Sequence, residues 1–224
     1  MIYLGMELQL SLEYYCDQDF EDNLKRLNTL VTNEPFAYHL DVMRKGCTAK
    51  NRMTDQQYDY VLGNAKRPID AHLMIPDPAA NVGRYISPRL RSLVFQMEAT
   101  RSISEIMKII KQIKQAGIQA GVCIDAPTEI NKQVAEVIPS CDVVTLMGLG
   151  RGESGTPLRP ETLAKIEQVR RINPRTRIIW DGGVRLENID LFKGVDNCVV
   201  ATAVFSASDQ KSAIEKLQAS FISK

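Results

Sequence analysis

Residues 93–124 read LVFQMEATRSISEIMKIIKQIKQAGIQAGVCI. The run LVFQ (93–96) is short, apolar and of strand length. The stretch ISEIMKIIKQI (103–113) carries apolar residues at 103, 106, 107, 109, 110 and 113, the i, i+3, i+4 spacing of a helix with one apolar face. Ser102 stands where an N-cap hydroxyl would accept from the first-turn amides. AGVCI (120–124) is again a strand-length apolar run. One strand, one amphipathic helix and the next strand thus follow in about thirty residues.

The same alternation runs along the chain. Strand-length runs occur at 6–10 (MELQL), 36–42 (FAYHLDV), 69–74 (IDAHLM), 143–147 (VVTLM), 177–180 (RIIW) and 198–201 (CVVA). Helical spacing recurs at 20–31, 161–172 and 212–222, and Asp17, Thr54, Thr128 and Asp209 are further candidate N-caps. Eight strand-helix units in 224 residues match a single (β/α)8 TIM barrel, a fold of ~250 residues. A doubly wound open sheet is the alternative, but no G-x-G-x-x-G follows the first strand. Neither a low-complexity segment nor a linker interrupts the pattern, so one domain over 1–224 is expected.

Composition excludes several classes. With 28 basic and 27 acidic residues the net charge is +1, which points to neither a nucleic-acid nor a membrane-surface partner. Five cysteines (16, 47, 123, 141, 198) without a C-x-x-C pair read as free thiols in a reducing compartment. The first residues, MIYLGMELQL, lack a basic n-region, and no apolar run reaches the ~20 residues of a membrane span. A cytoplasmic protein is expected.

Barrel active sites lie at the C-terminal ends of the strands. Those ends carry Ser11, His39 and Asp41, His72, Gln96 and Glu98, Asp125, Met147, Asp181 and Thr202. The chain has only two histidines, His39 and His72, each followed by Leu and then a further candidate residue (Asp41, Met74). Residues i and i+2 of a strand share a face, so His39 and Asp41 point the same way, and a buried carboxylate needs compensation. Two imidazoles with Asp41 and Asp181 suit one divalent transition metal, zinc first, with iron, manganese or cobalt as alternatives. Such an ion would supply the missing positive charge.

Three glycine-bearing or small-residue turns could approach a phosphate: GLGRGESG (148–155), Asp181-Gly182-Gly183 and Ala201-Thr202. Simple turn formation is the competing reading of the same residues. Barrels often hold phosphate at the loops after strands seven and eight.

These segments together resemble the ribulose-phosphate 3-epimerase family nearly end to end. HLDVM (39–43) resembles H-x-D-V-M-D-G, and DAHLMIPDPAANV (70–82) resembles D-x-H-L-M-V-x-x-P. GVCIDAPT (121–128) is similar to G-x-x-L-N-P-x-T-P, and LMGLGRGESGTPLRPETLAKIEQVR (146–170) to V-M-S-V-x-P-G-F-G-G-Q-x-F-x-P and its helix. IIWDGGVRLENI (178–189) resembles V-D-G-G-[IV]-x-x-x-N, and VVATAVF (199–205) resembles V-A-G-S-A-[IV]-F. The resemblance implies metal ligands at His39, Asp41, His72 and Asp181, with Asp41 and Asp181 also acting as acid and base on opposite faces of the substrate. It implies substrate or phosphate contacts at Ser11, His72, Gly152, Glu153, Ser154, Gly155, Gly182, Gly183, Ala201 and Thr202, with Met43, Met74 and Met147 lining the pocket. The implied reaction inverts C3 of a ketose phosphate, ribulose 5-phosphate or a related pentulose or hexulose phosphate, through a metal-stabilised enediolate.

The chain also departs from the family. Asp-Gly after the methionine becomes Arg44-Lys45-Gly46, and G-F-G-G becomes Gly152-Glu153-Ser154-Gly155. N-P becomes Gly150-Arg151, L-N-P becomes Ile124-Asp125-Ala126, G-S becomes Ala201-Thr202, and a histidine is replaced near Gln96. The proton-transfer set is thus retained and the substrate-facing shell altered, with Arg44, Lys45 or Arg151 as candidates to restore lost positive charge. A small sugar phosphate is the expected partner, and a homo-oligomer the expected state. The alternatives are a lyase or decarboxylase on the same scaffold and a non-catalytic sugar-phosphate binder. The relatives with lyase or decarboxylase activity resemble D-x-K-x-x-D, and no such lysine follows Asp41.

Overall fold

The computed structural model describes residues 6–151 and 158–222. Eight parallel strands close into a barrel in sequence order: β1 (Glu7–Ser11), β2 (Phe36–Met43), β3 (Ile69–Met74), β4 (Ser92–Gln96), β5 (Gln119–Ile124), β6 (Val143–Met147), β7 (Arg177–Asp181) and β8 (Asn197–Val200). β8 pairs with β1, with Leu8 opposite Cys198, so the sheet has no open edge. Around it lie α1 (Phe20–Thr29), α2 (Asp55–Asn64), α3 (Pro78–Asn81), α4 (Ile103–Gln115), α5 (Lys132–Val137), α6 (Ala164–Ile172), α7 (Thr202–Phe205) and α8 (Gln210–Ile222). The TIM barrel expected from the strand-helix alternation is therefore the fold.

Strand β2 shows why the alternation holds. All eight of its residues are buried, as expected when helices cover the outside of a parallel sheet. Phe36, Tyr38, Leu40 and Val42 pack outward into the main core beneath the helices. The intervening residues face the barrel interior, where Val94, Cys123, Val143, Met147, Ile179 and Val199 form a second, smaller apolar cluster. Gly121 lets β5 approach β6: a Cβ there would lie 1.6 Å from the Val143 carbonyl oxygen.

The barrel floor is ionic. Asp70, 1% exposed, accepts hydrogen bonds from Arg177 Nη2 (2.8 Å) and Gln9 Nε2 (2.7 Å), and also from Arg91 and Ser92. Burial alone would raise the Asp70 carboxyl, but Arg177 and Arg91 override it and hold it well below the usual carboxylate range.

Most element boundaries fall within a residue or two of their sequence positions, with some corrections. Thr54 caps α2 in a reciprocal capping box with Gln57, and Ser102 caps α4. Asp209 accepts from the Ser212 amide at the start of α8. Asp17 does not cap α1, which begins after Asp19 in a left-handed conformation. Thr128 does not cap α5; Asn131 does, accepting from the Gln133 and Val134 amides. The helix expected from 161 begins as a 3₁₀ segment (Pro160–Leu163) and becomes α-helical only at Ala164. Pro160 suits that first turn because it has no amide to leave unpaired.

Candidate active site

Parallel pairing places Ser11 beside His39 and Asp41 beside His72 at the C-terminal rim of β1, β2 and β3. Asp181 ends β7 beside Met147 of β6. His39 Nε2 lies 3.2 Å from Asp41 Oδ1, and His72 Nδ1 lies 3.4 Å from the same oxygen. Both nitrogens are 3.9 Å from Asp181 Oδ2. One donor atom from each of His39, Asp41, His72 and Asp181 falls within 4.8 Å of the other three. The structure thus brings together all four residues singled out from the sequence.

Three of these atoms, His39 Nε2, Asp41 Oδ1 and His72 Nδ1, are buried without a hydrogen-bond partner. Buried polar atoms are normally paired, so three such atoms converging on one point need an explanation. Two imidazole nitrogens and two carboxylate oxygens at this spacing fit a divalent metal ion. Each residue's remaining polar atoms have partners on the far side. Ser11 Oγ donates to Asp41 Oδ2 at 2.7 Å. His39 Nδ1 is 2.8 Å from Gln9 Oε1, and His72 Nε2 is 3.0 Å from Gln96 Oε1.

The two carboxylates differ electrostatically. Burial would raise the Asp41 carboxyl, but His39 and His72 overcome it and hold it well below the usual carboxylate range. Burial and the nearby Asp41 charge push Asp181 up to about 6. Burial disfavours charge on His39, yet the neighbouring Asp41 carries it up to about 9 in the metal-free protein.

Above this cluster opens a cavity of about 530 Å³. Ser11, Asp41, Asp181, Met43, Met74 and Met147 line its inner part, and Gly182, Gly183, Ala201 and Thr202 line it toward the β7 and β8 loops. Gly182 and Gly183 both adopt left-handed backbone (φ 107° and 74°), which brings their main chain against Leu149 and Leu158. His72 is fully buried with its Nδ1 toward Asp41, and Met74, two residues on along the same strand, lines the cavity. Gly152, Glu153, Ser154 and Gly155 lie outside the described residues.

The three candidate cations have distinct surroundings among the described residues. Arg44 spends its guanidinium on the carbonyls of Met43, Arg52 and Met53 and on Asp55, pinning the loop after β2. Arg151 pairs with Asp125 at 2.8 Å, and Lys45 is exposed. None of the three lines the main cavity, whereas Arg185 and Lys216 do. Sequence reading also passed over Gln9, although its position two residues before Ser11 places it on the inner face of β1.

The family model described as "Ribulose-phosphate 3 epimerase family" matches residues 16–205. The chain is 27% identical over 191 residues to ribulose-phosphate 3-epimerase of Aquifex aeolicus, covering 83% of this chain and 84% of that protein. It is 30% identical to the Eremothecium gossypii protein of that name (75% and 67% covered) and 29% identical to the Escherichia coli one (67% and 68%). KGPDC from Streptococcus mutans shares the fold at 12% identity, with TM-score 0.66 and 97% of each chain covered. An orotidine 5'-monophosphate decarboxylase from Sulfolobus solfataricus shares it at 14% identity and TM-score 0.61, with 96% and 97% covered. Among the described residues no helix is long and apolar enough to cross a membrane. With that match over most of its length, the chain belongs to the ribulose-phosphate 3-epimerase family.

Proposed function

We propose that this protein is a metal-dependent epimerase that inverts C3 of a ketose phosphate. The observation that carries the reading is the convergence of three unpartnered buried atoms, on His39, Asp41 and His72, toward Asp181 beneath an open cavity. His39, Asp41, His72 and Asp181 would hold the metal, with zinc the first candidate. When bound, such an ion would supply positive charge that polarises the substrate's carbonyl group and so acidify the C3 proton.

The chain's own groups divide the proton work. Asp41 is held ionised, so it suits removal of the C3 proton, and Ser11 orients its Oδ2. Asp181 would be the partner acid, delivering a proton to the opposite face. The two carboxylates come from β2 and β7, separated around the barrel by β1 and β8. The reverse reaction exchanges their roles. Met43, Met74 and Met147 supply an apolar wall that limits water at the reacting carbon. Gly182, Gly183, Ala201 and Thr202, with Gly152–Gly155 by sequence, would receive the phosphate.

Against a lyase, the residue two after Asp41 is Met43, not a lysine. The test is a panel of pentulose and hexulose phosphates incubated in deuterated water with metal-loaded protein. C3 deuteration with formation of the C3 epimer on at least one sugar is expected. Full metal occupancy with no exchange on any of them would leave a binding protein instead.

A further inference from the structure

We infer that Gln9 and Gln96 are positioning residues that lock the two imidazoles in opposite tautomers, and so present His39 through Nε2 and His72 through Nδ1. This rests on the metal reading above and deepens it.

A glutamine amide has two ends, and here each orientation is settled by a neighbour. Gln9 Nε2 donates to Asp70 Oδ2 at 2.7 Å, and Asp70 is anchored among Arg91, Arg177 and Ser92. A carboxylate accepts only, so the NH₂ of Gln9 must face it and Oε1 must face His39. That oxygen, 2.8 Å from His39 Nδ1, requires a proton on Nδ1 and leaves the Nε2 lone pair toward Asp41 and Asp181. Gln96 repeats the logic on the other nitrogen. Its Nε2 donates to Glu98 Oε2 at 2.6 Å, and the other oxygen of Glu98 receives the Asp125 amide. Gln96 Oε1 therefore faces His72 Nε2 at 3.0 Å, requires a proton there, and frees Nδ1.

The two unprotonated nitrogens obtained this way are the two imidazole atoms that have no partner, which follows independently from burial. Both relays end in a carboxylate, but each interposes a neutral amide before the imidazole. A carboxylate bonded directly to a ligand imidazole raises its basicity and adds negative charge. The amide passes on the orientation and withholds the charge. Asp41 and Asp181 then balance a divalent ion without excess negative charge.

The test uses Gln9→Met and Gln96→Met, which keep length and bulk but replace the amide oxygen with a poor acceptor and remove the NH₂ donor. Zinc affinity is measured by chelator competition, alongside thermal unfolding of the metal-free proteins. Each variant is expected to bind zinc about 10- to 100-fold more weakly. In the zinc-loaded wild type, ¹⁵N–¹H correlation of the histidine rings should show His39 protonated at Nδ1 and His72 at Nε2. The reverse tautomer at either ring overturns the inference, as does zinc affinity within threefold of wild type in both folded variants. If a variant is too unstable to assay, the wild-type ring spectrum decides alone. If wild-type protein takes up no metal, the metal reading fails, while the ring spectrum of the metal-free protein still reports whether Gln9 and Gln96 set the two tautomers.

Discussion

His39 Nε2 and Asp41 Oδ1 lie 3.2 Å apart, both buried, and neither has a hydrogen-bond partner. In the metal-free protein a proton on His39 can lie between them, which is why its imidazole is raised to about 9. Metal and proton then compete for one place.

That competition gives a pH dependence. In the metal-free state His39 is protonated below about 9 and Asp181 below about 6, and an incoming metal ion competes with these protons. Metal uptake should release protons below about 9, and more of them below about 6. Apparent affinity therefore rises with pH and levels off above about 9. Calorimetry in buffers of different ionisation enthalpy measures the count, and uptake with no proton release near pH 7 would contradict the ligand set.

His72→Ala removes a fully buried ligand candidate from the cluster. The variant should lose metal while keeping its far-ultraviolet circular dichroism. Wild-type metal content by elemental analysis would refute a role for His72.

Asp41→Asn and Asp181→Asn each keep shape and remove the proton-accepting group. Exchange at C3 should fall by roughly 10²- to 10⁴-fold in either variant reconstituted with metal. A rate near wild type in one of them would take that residue out of the acid–base pair.

Asp70 gives a stability prediction at the other end of the barrel. Asp70→Asn leaves the half-buried Arg177 and Arg91 with a neutral partner and should cost about 3–5 kcal/mol at pH 7. Because the folded Asp70 carboxyl lies below its unfolded value, its stabilisation is fully present above roughly pH 4 and is lost as pH falls toward the depressed value. Urea denaturation of both proteins at several pH values should show the difference shrinking in acid. A constant difference would mean that the lost bonds, not the charge, set the cost.

Two glycines separate packing from propensity. Gly121→Ala places a methyl group on the Val143 carbonyl and should prevent accumulation of folded protein. Gly63→Ala in α2 meets nothing within 4 Å and should stabilise by up to about 1 kcal/mol. Thermal melts compare them, and a well-folded Gly121→Ala would show that β5 and β6 can separate.

Strand positions were legible because apolar runs in a covered parallel sheet end where turns begin, and the β3 and β6 runs coincide with the observed strands. The four cluster residues were legible for a related reason: two-residue periodicity puts His39 and Asp41 on one face, and barrel topology carries the strand ends together. Helix starts were less so. Asp17 and Asp19 are equally good caps by type, as are Thr128 and Asn131, and helical periodicity does not fix the first turn. Arg44 was one of three candidates to restore lost charge; its long side chain folds back on three carbonyls, a reach that local spacing does not encode. The family match also left Gln9 unmarked, since its partners Asp70 and His39 lie 61 and 30 residues away.

The most direct test is a metal titration of stripped protein, with C3 proton exchange of a responsive ketose phosphate followed by NMR in deuterated water. Exchange should be negligible without metal and should rise linearly until it breaks at one ion per chain. Undiminished exchange in fully stripped protein, or metal binding at one ion per chain that leaves the rate unchanged, would contradict a metal-dependent epimerase.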